Sequence, residues 1–114
     1  MSRTIGDREA KVVKYGGNPK VVIPDPDIVH IKTSSDHDFI ILASDGIFDK
    51  ISSEEVVQCI WRCVEEQRQP DIHRQIGVCI EGLIKESFIK KTFDNVSCVI
   101  IAFSNLKNYL FQNI

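Results

Sequence analysis

The chain has 114 residues, of which 43% are hydrophobic and 26% charged, a balance typical of a folded globular protein and not of a disordered one. Its formal net charge of −2 indicates no basic surface for nucleic acid or for an anionic membrane. No apolar run approaches the roughly 18 residues of a membrane span, and the polar start MSRTIGDREAK lacks the apolar core of a secretory signal. We therefore expect an intracellular protein of the cytoplasm or nucleus, without a nucleic-acid or membrane partner.

The N-terminal part of the chain predicts two strands after an irregular start. Residues 1–20 are rich in charge and glycine, which predicts a loop with at most a short strand or turn. Pro24 and Pro26 then exclude a helix and favour an extended backbone. The alternation in residues 28–33, IVHIKT, predicts one strand, and the apolar run at residues 39–43 predicts a second, fully buried strand. Because only the turn SSDHD separates them, we expect an antiparallel hairpin.

A complete start signal for a helix follows the second predicted strand. Ser52 is placed to cap the helix, and Glu55, three residues later, is placed to close a capping box. Apolar side chains then recur at helical spacing through residues 52–67. The predicted buried face consists of Val56, Val57, Ile60, Trp61 and Val64.

A second helix is predicted to begin near Asp71, after the helix-breaking stretch RQP. Its expected buried residues are Ile72, Ile76, Cys79, Ile80 and Leu83. The turn KKTFDN leads to a last strand at residues 96–103, which is apolar on both faces and therefore needs cover on both. The final stretch SNLKNYLFQNI predicts a short amphipathic tail. The order strand, strand, helix, helix, strand makes the fold class α+β.

The four cysteines do not form a recognisable zinc or disulfide pattern. Their nearest spacing, from Cys59 to Cys63, is one helical turn, and no second close pair completes a zinc site. A disulfide framework belongs to short secreted chains, for which the sequence has no signal. We expect Cys59, Cys63, Cys79 and Cys98 to be packed as small hydrophobic residues in a reducing compartment.

Two aspartates stand at matching places beside buried strands. Asp45 follows the strand at residues 39–43, and Asp94 precedes the last strand. If these strands are antiparallel neighbours, the two carboxylates meet at one end of the sheet, where a hard cation such as Mg²⁺ or Mn²⁺ would relieve their repulsion. Gly46 would allow a sharp turn and leave room for water or ligand. The alternative interpretation is that these residues, with Asn95, form ordinary turns and helix caps.

Four stretches in series resemble one family of enzymes. They are SRTIGDREAK, DPDI, FIILASDGIFDKISSEEVV and FDNVSCVIIAF, and together they extend over most of the chain. In order and spacing they resemble the C-terminal motifs of the metal-dependent protein serine/threonine phosphatases of type 2C. The resemblance implies a fold of two packed antiparallel sheets flanked by helices. It also implies that residues 1–114 are the C-terminal portion of one such catalytic domain, whose N-terminal half is absent.

The resemblance also assigns roles to particular residues. Asp45 and Asp94 match the family's metal ligands in its S-D-G and D-N motifs, so that Gly46 and Asn95 belong to the same motifs. Asp7 and Asp49 match recurrent family positions and are expected to have supporting roles. The complete domain would hold two Mg²⁺ or Mn²⁺ ions and hydrolyse phosphoserine and phosphothreonine in a phosphoprotein substrate.

The chain departs from the family pattern at two positions, and the phosphatase interpretation has one alternative. Phe48 stands where the family often has tryptophan, and Lys50 replaces a usually apolar residue. We expect the isolated chain to be inactive, because its catalytic partner residues lie in the missing half, and to self-associate through exposed apolar sheet surface. The alternative is a non-catalytic interaction or regulatory fragment of a pseudophosphatase.

Overall fold

The computed structural model describes residues 2–111, which fall into two units, residues 2–32 and residues 33–111. The first unit contains helix α1 and one turn of 3₁₀ helix, and the second contains all the other elements. In chain order the elements are α1 (Arg8–Lys11), the 3₁₀ turn (Val13–Tyr15), β1 (Phe39–Ala43), α2 (Asp45–Phe48), α3 (Ser53–Glu66), α4 (Ile72–Ile89), β2 (Cys98–Ala102) and α5 (Ser104–Phe111). The predicted α+β class is confirmed.

The first unit differs from its prediction in two respects. Residues 8–15 form helical turns and not a plain loop, since the run REAK consists of good helix formers. The predicted strand at residues 28–33, and therefore its hairpin with β1, is wrong. Alternation predicts an extended backbone, but a strand also requires a neighbouring strand. In the described part of this unit, the only ladder contact is an isolated bridge between Arg3 and Ile23.

The second unit contains a two-stranded antiparallel sheet. The register pairs Phe39 with Ala102 and Ala43 with Cys98. Alternate residues of each strand pack against the helical core; they are Phe39, Ile41, Ala43, Cys98, Ile100 and Ala102. The other face carries Ile40, Leu42, Val99 and Ile101, which are 40–56% exposed. The run at residues 39–43, which forms β1, was predicted to be fully buried. That prediction is wrong, because in residues 2–111 helices cover only one face of the sheet.

The two long helices were predicted closely. At the start of α3, the Glu55 backbone N–H donates to Ser52 Oγ at 3.3 Å, and the Ser52 N–H donates to Glu55 Oε2 at 2.9 Å, so the predicted capping box is confirmed. Asp71 caps α4 by accepting from the Arg74 N–H at 3.0 Å. The helices bury Val56, Ile60, Val64, Cys79 and Leu83 in the core. No helix in the described range is long and apolar enough to cross a membrane.

Two other predictions on packing are wrong and two agree with the structure: Val57 lies outside the buried face of α3, and β2 has one exposed face, whereas the tail and the cysteines pack as expected. The tail forms helix α5 up to residue 111, with Leu106 and Leu110 buried; the last three residues of the predicted tail lie outside the described range. None of the four cysteines, all of which are described, forms a disulfide, and three of them are buried. They pack as small hydrophobic residues, as expected.

Candidate functional site

The end of the sheet that follows β1 and precedes β2 brings two distant segments together. Because Ala43 pairs with Cys98, the chain on either side continues in register. The Ser44 N–H donates to the Ser97 carbonyl at 2.9 Å, and the Ser97 N–H donates to Ser44 Oγ at 3.1 Å. The Ser44 hydroxyl also donates to the Asn95 carbonyl at 3.2 Å. We call residues 44–49 and 94–97 the aspartate end of the sheet. Hydrogen bonds join its two segments, as expected if β1 and β2 are antiparallel neighbours.

Gly46 lies where these two segments approach most closely. It is buried, and a Cβ placed on it would lie only 2.2 Å from the Asn95 carbonyl oxygen. Glycine is therefore required by contact with another part of the backbone. The sequence-based expectation was a sharp turn with room for water or ligand, and the structure corrects that reason: the space beside Gly46 is filled by the residue that follows Asp94.

Asp45 is the first residue of α2, and its side chain is exposed. Ser44 precedes it as the N-cap residue in an extended conformation, so Asp45 is not itself the cap. A carboxylate in the first turn of a helix is stabilised by the helix dipole. The short helix is held in place by Ile47, which is fully buried. A strand on one side and a core anchor on the other thus position Asp45.

Asp94 lies in the bend that precedes β2, and it too is exposed. One of its carboxylate oxygens accepts from the Asn95 N–H at 2.8 Å. This local hydrogen bond between neighbouring residues lies within the bend. It orients the Asp94 side chain without burying it, so a structural role in the turn and a role as a ligand are compatible.

The other candidate residues have different surroundings. Asp49 ends α2, where its N–H donates to the Asp45 carbonyl at 2.8 Å, and its side chain is exposed. Asn95 contributes its backbone carbonyl, which contacts both Ser44 and Gly46. Asp7 belongs to the first unit, where it precedes α1 in a left-handed conformation with φ of 52°. The aspartate end therefore contains five of the six candidate residues, Asp45, Gly46, Asp49, Asp94 and Asn95. The sixth, Asp7, lies in the first unit.

The carboxylates at the aspartate end have no ion-pair partner among the described residues: no lysine, arginine or histidine there forms an ion pair with Asp45, Asp49 or Asp94. Carboxylates that share a site without a counter-charge repel each other, and their oxygens are the ligands that Mg²⁺ and Mn²⁺ prefer. Within residues 2–111, however, no group of three or more His, Cys, Asp or Glu side chains is arranged to hold a metal ion. The donors fit such an ion in kind but supply only part of a ligand set.

Ser44 and Ile47 are the residues that sequence reasoning overlooked. Ser44 Oγ connects the two segments, and Ile47 fixes α2 to the core. The available signal for Ser44 was its position directly before an acidic residue at the end of a strand, which is typical of an N-cap. Nothing local in the sequence indicated its second partner, which lies about fifty residues further along the chain.

Comparison with known proteins identifies one family. Residues 1–96 match the model of the family described as Protein phosphatase 2C. Similar curated proteins include "Protein phosphatase 1L" of Bos taurus, which is 35% identical over 106 residues, with 92% of this chain and 25% of that protein covered. "Probable protein phosphatase 2C 59" of Arabidopsis thaliana is 32% identical over 103 residues (90% and 27%). "Protein phosphatase 1B" of Homo sapiens is 32% identical over 106 residues (92% and 21%). The chain spans about a quarter of the length of these relatives.

Proposed function

The chain belongs to the protein phosphatase 2C family, and from this membership we propose that it forms part of a metal-dependent protein serine/threonine phosphatase. In this proposal the complete protein hydrolyses phosphoserine and phosphothreonine in phosphoprotein substrates at a centre of two Mg²⁺ or Mn²⁺ ions. The observation that carries the proposal is the joining of the Asp45 and Asp94 segments at one end of the sheet. Membership of the family supports phosphatase activity, whereas the ions and the ligand residues are our inference.

Asp45 and Asp94 would be the residues of this chain that hold a metal ion. Both are exposed and neither is ion-paired within the described range, so each is available to a cation. When bound, such an ion supplies Lewis acidity that activates water and neutralises the charge of the phosphoryl group. Asp49 would lie beside this site, one helical turn after Asp45.

The other residues of the aspartate end would act by holding the two ligands in place. The Ser44 hydroxyl contacts both the Ser97 N–H and the Asn95 carbonyl, and therefore prevents the strand ends from separating. Gly46 permits the close approach of the Asn95 carbonyl. Ligands on such a rigid support need little reorganisation during the reaction. Electrostatic catalysis depends on groups that are preorganised in this way.

The rest of the ligand set would come from the part of the family domain that this chain does not cover. Two observations support this step: the described residues include no complete group of metal ligands, and the chain spans about a quarter of its relatives' length. The exposed apolar face of β1 and β2 would then pack against the second sheet of the sandwich that the family resemblance implies. The isolated chain should accordingly fail to hydrolyse a phosphopeptide with Mn²⁺.

The decisive experiment replaces each aspartate in the complete protein. We expect Asp45→Asn and Asp94→Asn each to lower Mn²⁺-supported hydrolysis of a phosphopeptide by about a hundredfold or more, the scale of losing one key electrostatic group. Asp36→Asn, an exposed aspartate before the other end of β1, is the matched control and should keep normal activity. Urea unfolding of each variant separates loss of the site from loss of the fold.

Two results would contradict the proposal. Near-normal hydrolysis by the Asp45 and Asp94 variants would remove both residues from the metal centre. A folded complete protein that binds phosphoprotein but shows no hydrolysis with Mg²⁺ or Mn²⁺ would favour the non-catalytic alternative.

A further inference from the structure

Three thiols meet in the interface between α3 and α4. Cys59 and Cys63 lie one turn apart on α3, Cys79 lies on α4, and all three are buried. Gly82 of α4 leaves the space that the sulfur atoms border: a Cβ placed there would lie 2.6 Å from Cys63 Sγ and 3.7 Å from Cys59 Sγ. The Cys59 and Cys63 sulfur atoms therefore face the same small space. We call Cys59, Cys63 and Cys79 the thiol cluster.

Cys59 is buried like the other two thiols, but it borders a surface cavity and has a cation beside it. Arg62 Nη2 lies 3.7 Å from Cys59 Sγ, so a guanidinium group stands beside this sulfur atom. Cys59 also lines a surface cavity of about 160 Å³, together with Glu55, Gln58, Arg62, Glu86 and Lys90. The two carboxylates of this cavity pair with Arg62 and Lys90, so the rim is close to neutral and a small uncharged reagent can enter.

Cys63 and Cys79 are held in the neutral form. Burial is the main cause that raises the pKa of Cys63, and it raises the pKa of Cys79 to about 11. Cys79 Sγ lies 3.8 Å from the Ile60 carbonyl, where its S–H can donate. Because the thiolate and not the thiol is the nucleophile, these two groups should react slowly with an oxidant unless a reactive sulfur is already beside them.

We propose that Cys59 is a site of reversible oxidation by hydrogen peroxide and that Cys63 is its resolving partner. The Cys59 thiolate attacks one peroxide oxygen, the O–O bond breaks, and the departing hydroxide takes up the thiol proton to form water. Cys59 is then a sulfenic acid. Cys63 sulfur attacks Cys59 sulfur, the S–O bond breaks, and the leaving hydroxide takes the Cys63 proton. Two thiols have lost two electrons, and one peroxide has become two waters.

The helix makes this disulfide a strained one. Side chains at positions i and i+4 of a helix have Cβ atoms about 5–6 Å apart, whereas a disulfide requires roughly 3.5–4.5 Å. Closing the bond must therefore distort the middle of α3, which also carries Ile60 and Val64 into the core. A strained disulfide is easily reduced. Oxidation should loosen α3, and a thiol reductant should restore it, so the site would be reversible.

The test follows the thiols of the folded chain directly. The protein is treated with hydrogen peroxide, the remaining thiols are alkylated, and peptides are mapped by mass spectrometry. With a protease that leaves the bond after Arg62 intact, we expect loss of two hydrogen atoms within the peptide that contains both Cys59 and Cys63, reversed by dithiothreitol. Cys59→Ser should slow the first oxidation by about tenfold or more, because it removes the thiol that borders the surface cavity.

Three variants separate the proposed roles from general damage. Cys63→Ser should leave the first step intact and accumulate a Cys59 sulfenic acid that dimedone traps. Arg62→Gln should slow the first step, since it removes the cation that lies 3.7 Å from Cys59 Sγ. Cys98→Ser, in β2 and outside the cluster, is the matched control and should react like the unaltered chain. A disulfide that maps to Cys79, equal oxidation of Cys59→Ser, or thiols that react only after unfolding would each overturn the proposal.

Discussion

Residues 33–111 enclose an apolar core, whereas residues 2–32 leave most of their large apolar side chains in contact with water. In the second unit Ile60 and Leu83 are fully buried. In the first unit the exposed fractions reach 91% at Ile5, 72% at Ile28, 79% at Val29 and 76% at Ile31. Regions with few buried contacts open at low free-energy cost. The stability of the chain should therefore reside almost entirely in the second unit.

The largest expected effect tests this comparison directly. Leu83→Ala should lower the free energy of unfolding by about 2–5 kcal/mol, because it removes a fully buried side chain and leaves a cavity. Ile28→Ala should change it by less than about 0.5 kcal/mol, the usual range for an exposed position. Urea unfolding followed by circular dichroism measures both. Similar losses for the two variants would show that the first unit also carries a core.

A smaller loss of stability is expected at Gly46, where two segments of the second unit approach each other closely. Gly46→Ala should destabilise by roughly 1–3 kcal/mol, because the added methyl group would overlap the Asn95 carbonyl and force the two segments apart. The matched control is Gly77→Ala in α4, where a Cβ would meet nothing within 4 Å. Alanine is the better helix former there, so this control should be neutral or gain up to about 1 kcal/mol. If Gly46→Ala behaves like Gly77→Ala, the aspartate end is not closely joined.

The smallest effect concerns how acid acts on the start of α3. Hydrogen bonding to Lys90 is the first cause that lowers the pKa of Glu55, from 4.5 to about 2, and the Ser52 N–H adds to it. Because the folded chain binds this proton less readily than the unfolded chain, the stabilisation by Glu55 is complete above pH 4.5 and is lost as the pH falls toward 2.

Thermal unfolding between pH 7 and pH 2 measures this effect. The chain with Glu55 should be more stable than Glu55→Gln at neutral pH, and the difference should shrink as the solution approaches pH 2. Glu54→Gln, in the same helical turn, controls for the removal of a carboxylate there. A difference that stays constant with pH would show that the Lys90 contact does not hold the Glu55 charge.

Much of the second unit could be predicted because its signals are local. The capping box of Ser52 and Glu55 depends on residues three positions apart and was found as predicted, and the second helix begins beside Asp71, near where it was expected. The neighbouring placement of β1 and β2 was also anticipated, from two apolar runs with an aspartate at one end of each. The roles of Asp45 and Asp94 as metal ligands stay a prediction, to be decided by the aspartate variants.

The sequence by itself determined the two long helices α3 and α4, the apolar runs that form β1 and β2, and the family to which the motifs belong, since spacing and residue type carry that information along the chain. Only the tertiary structure decided that residues 28–33 form no strand in the described chain, that one face of the sheet is exposed, and that Gly46 is needed beside the Asn95 carbonyl. These features depend on what lies next to a segment in space, and contacts between residues about fifty positions apart leave no periodic signal in either segment.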